Sequence, residues 1–175
     1  MLPCSKISSA ASPPGRAFLT PVAGLGSQSL SSLRLMLRSS ASTLADMQLG
    51  LAKRHVPTGL WVCADLAALP FADASFDAVC SYYAIIHIPR EQHASVLRGL
   101  ARVLRPRGLA LLCLGAVDLS AWTEQYHDAP MYWSHYDAAT SLSLVTAAGL
   151  EVVWDRWVGE GTGGHLFVLA QRDDT

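Results

Sequence analysis

No aspartate or glutamate precedes Asp46, so the first 45 residues carry Lys6, Arg16, Arg34 and Arg38 without counter-charge, among 11 serines. A basic, serine-rich, acid-free stretch has the composition of an organellar transit peptide. Yet no amphipathic arginine helix stands before Pro13-Pro14-Gly15. We favour a poorly ordered N-terminal extension, since chain ends have the least packing to hold them. Strong net charge is also missing. Against 13 Lys and Arg stand 14 Asp and Glu, a balance of -1 that gives no field to capture a nucleic-acid backbone. The longest apolar run, Leu109 to Val117, falls far short of the roughly 20 residues that a membrane span needs. A soluble, cytoplasmic protein with no nucleic-acid or membrane partner is expected. Cysteine is sparse: Cys4, Cys63, Cys80 and Cys113 lie far apart, and no CxxC or Cys/His spacing occurs, so no metal site is expected. The last three fall in predicted strands and read as buried, reduced thiols.

Apolar residues are abundant, at 51% of 175, which suits one domain with a substantial core. From about residue 43 the pattern becomes regular. Thr43 and Asp46 form a capping pair before a helix bearing Leu44, Met47 and Leu51, which ends before Pro57. A strand is predicted over 60–64, then an Asp-bearing connection, then a strand over 76–83. The next helix follows Pro89. It aligns Leu97, Leu100, Ala101 and Leu104 at i, i+3, i+4 and i+7, and Pro106 and Gly108 stop it. Leu109 to Leu114 reads as a strand covered on both faces. Asp137 can cap a third helix running to Gly149, with Leu142 and Val145 inward. Strands over 151–158 and 165–171 close the chain. Alternating helices and strands imply an α/β fold, a Rossmann-like doubly wound and mainly parallel sheet. The last two strands follow one another directly and form an antiparallel hairpin.

Gly159, Gly161 and Gly164 match the dinucleotide fingerprint GxGxxG. Their context does not, because that loop must open a helix whose N-terminus meets a pyrophosphate, and here a strand, His165 to Leu169, follows. A hairpin connection is the better reading.

Taken in order, the strand ending at Asp65, Leu69-Pro70-Phe71, Ser75-Phe76-Asp77, His87, and the helix ending Leu104-Arg105-Pro106-Arg107-Gly108 resemble the class I S-adenosylmethionine-dependent methyltransferases, in particular the type 11 methyltransferase domain of the small-molecule branch. The likeness is close over residues 44–115 and looser elsewhere. It implies S-adenosylmethionine as cofactor and a small molecule as methyl acceptor. By this resemblance Asp65 accepts a hydrogen bond from the adenine amino group, a task suited to an acceptor-only carboxylate, and Leu66 meets the ring. Ser81 and Tyr82 stand near the methionine moiety, where a tyrosine ring can face the sulfonium cation. His87 is the candidate catalytic base or substrate-binding group. Asp77 is expected to be architectural and Asp73 a turn residue. An aromatic-rich loop holding Trp122, Tyr126, His127, Tyr132, Trp133 and His135 is expected to cover the acceptor.

The resemblance stops upstream. The family's first strand ends in an acid followed by GxGxG, and the nearest candidate here, Gly24-Leu25-Gly26, follows a proline-containing segment without the acid. The acid that holds the ribose hydroxyls is replaced near Ser42. Residues 1–42 are therefore expected to be a poorly ordered or degenerate segment, and 43–175 a methyltransferase-like domain whose first βαβ unit is incomplete. A shifted reading frame or misplaced start would explain the break, as would divergence into a non-catalytic relative that binds without turnover. A nicotinamide-dependent oxidoreductase is a third, weaker reading. Acceptor identity and oligomeric state stay open, although an incomplete sheet would expose an edge that invites pairing.

Overall fold

The computed structural model describes residues 18–21, 39–43, 54, 60–126, 129–160 and 163–174. The described strands form a sheet of seven, in the order β3-β2-β1-β4-β5-β9-β8. These are β1 (Phe18–Pro21), β2 (Ser39–Thr43), β3 (Leu60–Cys63), β4 (Phe76–Ser81), β5 (Leu104–Gly115), β8 (Leu150–Glu160) and β9 (Gly163–Arg172). Pairing is parallel from β3 through β5, while β9 runs antiparallel to both its neighbours. Strands β6 (Leu119–Tyr126) and β7 (Ala129–His135) pair with each other as a separate hairpin. Two described α-helices complete the frame, α1 (His93–Val103) and α2 (Ala138–Ala147).

The expected boundary at residue 43 falls inside the sheet. Strand β2, Ser39-Ser40-Ala41-Ser42-Thr43, ends at it, and β1 lies earlier still. Neither has an apolar alternation to announce it. Backbone pairing needs none: β2 is hydrogen-bonded between β1 and β3, and β1 between β2 and β4. Both strands of the first unit are thus in place. The Gly24-Leu25-Gly26 candidate lies outside the described residues, as does the helix predicted from residue 44 apart from Arg54, which is helical and exposed.

Helix α1 buries Val96, Leu97, Leu100, Ala101 and Val103 against the sheet, where Leu112, Leu114, Val168 and Ala170 meet them with Val145 of α2. Leu104 had been expected on the helix face. It is instead the extended C-cap (φ -70°, ψ 144°) and the first residue of β5, paired with Phe76. Pro106 explains the early stop, because it has no N–H for the carbonyl of Arg102 and disfavours helical backbone at Arg105. The freed carbonyls are taken by the preceding turn: Ala74 N–H donates to Arg102 O (3.0 Å) and Ser75 N–H to Val103 O (2.8 Å).

Two carboxylates, Asp73 beside that turn and Asp77 at the start of β4, are held by arginines that follow. Asp73 pairs with Arg102 at 2.6 Å, and the same guanidinium donates to the carbonyls of Phe71 and Leu69. Asp77 pairs with Arg105 at 2.5 Å. Gly108 passes so close that a Cβ there would sit 2.8 Å from Arg105 O and 3.1 Å from Asp77 O. A glycine is required by contact, not by torsion. Asp137 caps α2 as expected, accepting from the N–H of Thr140 at 2.8 Å, and these hydrogen bonds hold its carboxyl below the usual range.

Candidate active site

An open parallel sheet binds ligands beyond the carboxyl ends of its strands, where strand order reverses. Here the reversal lies between β1 and β4. Leu19 is level with Val79 in the register, which brings the ends of these strands, Pro21 and Ser81, to the same edge of the sheet.

At the end of β3, Asp65 is exposed and caps a 3-10 turn, Leu66–Ala68, accepting from Ala67 N–H at 2.9 Å. A carboxylate has about four acceptor sites, so one local bond leaves capacity for a ligand. Leu66 is 9% exposed and its side chain belongs to the core.

At the end of β4 the environment is different. Ser81 is 1% exposed, and its hydroxyl has no hydrogen-bond partner among the described residues. A buried polar group left without a partner is uncommon and asks for a ligand or water. Tyr82 and Tyr83 follow, their rings edge to face at 4.5 Å. Tyr83 adopts φ +48°, a strained value for an aromatic residue, and such outliers gather at functional sites. The twist lays its ring edge to face against His165 (4.9 Å) and Phe167 (6.3 Å) of β9, and Tyr82 also meets Phe167 at 5.8 Å. Tyr82 is therefore half-buried in an aromatic cluster. His165 and Phe167 carried no signal in sequence, because only the antiparallel return of β9 brings them beside β4.

His87 ends a second 3-10 turn, Ile85–His87, and is half-buried. Its Nδ1 lies 2.7 Å from the carbonyl of Tyr132 in β7, and its ring lies 5.7 Å from Trp133. A carbonyl only accepts, so Nδ1 carries the proton and Nε2 the lone pair. Burial lowers the His87 pKa, the Tyr132 bond opposes this, and His135 lowers it further. Burial thus favours the neutral form of the ring.

The connection expected as an aromatic loop is the β6–β7 hairpin. Trp122 is half exposed and pairs across the ladder with Trp133. His127 and the side chain of Tyr126 lie outside the described residues. His135 is buried and bonds the carbonyl of Val117 at 2.7 Å, lying so tightly over Gly115 that a Cβ there would come within 2.1 Å of its ring. His93, at the start of α1, bonds Ile88 O at 3.0 Å and stacks edge to face on Tyr136. Among the described residues no cluster of three metal-ligating side chains occurs, and no helix is long and apolar enough to cross a membrane.

Residues 22–112 match the family described as a methyltransferase domain, which is 91 of 175 residues and more than half of the chain. The chain belongs to this family, the class I S-adenosylmethionine-dependent methyltransferases. Among curated relatives, the demethylmenaquinone methyltransferase of Mycobacterium tuberculosis H37Rv is 35% identical over 104 residues, covering 57% of this chain and 41% of that protein. The chain thus spans about two fifths of the length of that relative. The fold is also that of a Methanosarcina mazei structure described as an S-adenosylmethionine-dependent methyltransferase (TM-score 0.75, 15% identity, 90% of this chain and 92% of that one). A third likeness is the Burkholderia thailandensis 1,6-didemethyltoxoflavin N1-methyltransferase, solved with 1,6-didemethyltoxoflavin and S-adenosylhomocysteine (TM-score 0.71, 20% identity, 90% of this chain and 71% of that one). S-adenosylmethionine is the cofactor of the class, and the buried hydroxyl of Ser81 and exposed carboxylate of Asp65 fit a ligand with amino and hydroxyl groups.

Proposed function

We propose that this domain transfers a methyl group from S-adenosylmethionine to a small-molecule acceptor. The observation that carries the reading is the buried hydroxyl of Ser81, without a partner among the described residues, at the topological switch point of a methyltransferase-family sheet. In this reading Asp65 takes the adenine amino group, with Leu66 beneath the ring, and Ser81 and Tyr82 border the methionine part. The bound cofactor supplies an electrophilic methyl group on a sulfonium sulfur.

The acceptor side is formed by His87 and the hairpin residues Tyr132 and Trp133. An aromatic wall with few polar groups suits a small, partly apolar molecule, and the acceptors in the names of the two relatives, a demethylmenaquinone and a didemethyltoxoflavin, are small molecules. With the cofactor bound, Nε2 of His87 would take the proton that the acceptor's nucleophilic atom gives up on methylation. Alignment supplies most of the rate in such a displacement, and the base a further factor.

Isothermal titration with S-adenosylhomocysteine tests this, with NAD and the Asp65→Ala variant as controls. Micromolar binding of S-adenosylhomocysteine but not NAD, weakened in Asp65→Ala, supports the reading and opens acceptor screening. A folded protein that binds neither would be a methyltransferase by descent only, acting if at all as a binding module.

A further inference from the structure

Arg90 reaches both ends of the β6–β7 hairpin. Its guanidinium pairs with Asp118, the residue before β6, and stands 5.0 Å from the ring centre of Tyr136, the residue after β7. Its backbone N–H donates to Ser134 Oγ at 3.0 Å, a side chain that is 1% exposed near the end of β7. Glu91 adds a longer contact at 3.8 Å. Arg90 begins the 3-10 turn Arg90–Gln92, three residues after His87. The hairpin that it grips returns to His87 through the Tyr132 carbonyl, the ring's hydrogen-bond partner among the described residues.

One chain of contacts therefore runs from the Arg90 side chain through the root of the hairpin to Nδ1 of His87. An imidazole's proton can sit on either nitrogen, and the choice follows the hydrogen bond that the ring is offered. If the root of the hairpin slides, the carbonyl leaves Nδ1 and the choice is lost. Lysine would keep the charge beside Asp118 but not the planar face over Tyr136.

We propose that Arg90, held by Asp118, is a positioning residue that keeps the Tyr132 carbonyl on His87 and so sets the imidazole in its Nδ1–H form, with Nε2 as the proton acceptor. The use of Nε2 rests on the methyl-transfer reading; the tautomer does not.

The test is long-range proton–nitrogen NMR correlation of the histidine side chains in the ligand-free full chain, with a His87→Gln variant assigning the signals. Wild type is expected to show Nδ1 protonated in His87. Arg90→Ala should give a mixture of tautomers, Arg90→Lys an intermediate pattern, and Asp118→Asn a smaller shift in the same direction. Because the Asp118 side chain is 63% exposed, that variant decides the matter should Arg90→Ala fail to fold. Once an acceptor is found, Arg90→Ala should lower kcat about tenfold or more, part of what a positioned base contributes, while S-adenosylhomocysteine affinity stays unchanged. A wild-type His87 protonated on Nε2 would overturn the proposal. So would folded Arg90→Ala and Asp118→Asn variants that both keep the wild-type signals. If wild type methylates no acceptor, the methyl-transfer reading falls, while the NMR result still decides the role of Arg90.

Discussion

The carboxyl ends of β3 and β4 lie at the same edge of one sheet, yet they satisfy their polar groups in different ways. At β3 the exposed carboxylate of Asp65 is served by its own backbone two residues on. At β4 the hydroxyl of Ser81 is buried with no partner among the described residues, and the chain then turns through a strained Tyr83 into contacts with β9 and the hairpin. Local bonding makes Asp65 cheap to keep for many reasons. A buried orphan hydroxyl is a standing cost, so it is the stronger pointer to a ligand.

The largest expected effect tests how tightly the β4–β5 side is packed. Gly115→Ala drives a methyl group into the His135 ring and should lower stability by about 1–3 kcal/mol, the usual range for overpacking, read as a lower denaturation midpoint at unchanged slope. Next comes Ser81→Ala. Removing a buried unpaired hydroxyl should raise the stability of the ligand-free protein by about 1 kcal/mol, while titration with S-adenosylhomocysteine should weaken. Loss of stability would mean that Ser81 has a partner in the free protein, and the contrast with Asp65 would collapse. Asp65→Ala should leave thermal stability almost unchanged and weaken S-adenosylhomocysteine about three- to tenfold, the worth of one hydrogen bond.

The smallest effect is in pH. Burial lowers the pKa of both His87 and His93 below the ordinary histidine value of 6.5. Below 6.5 the unfolded chain binds protons that the folded one refuses, so stability is whole above 6.5 and falls as pH drops toward the folded values. Thermal melts across that window should show the decline, and His93→Gln should flatten it. A flat wild-type profile would argue against neutral burial of these rings.

Local patterns anticipated much of the structure, Leu104 excepted. The Asp137 cap, the apolar face of α1 and the hairpin at Gly159–Gly164 are all present, the last with Gly159 paired to Gly164. Strand β6 was missed because residues 120–125 are all exposed and show no period of two. It is a strand by virtue of its partner β7. Arg90 was passed over for a similar reason, since nothing around Pro89-Arg90-Glu91 says that Asp118, Ser134 and Tyr136 will be near.

By itself the sequence determined the α/β class and the helix stops at Pro106 and Gly149, which follow from periodicity and backbone restriction, both acting within a few residues. Asp65, Ser81, Tyr82 and His87 entered as candidates through the resemblance of their motifs to a family. Only the tertiary structure decided that Ser39–Thr43 is a strand, that Ser81 is buried with no partner among the described residues, and that the Tyr132 carbonyl meets Nδ1 of His87. Each of those depends on a group that is distant in sequence, and a hydrogen bond or a desolvated side chain exists only once the fold has brought that distant surface to it.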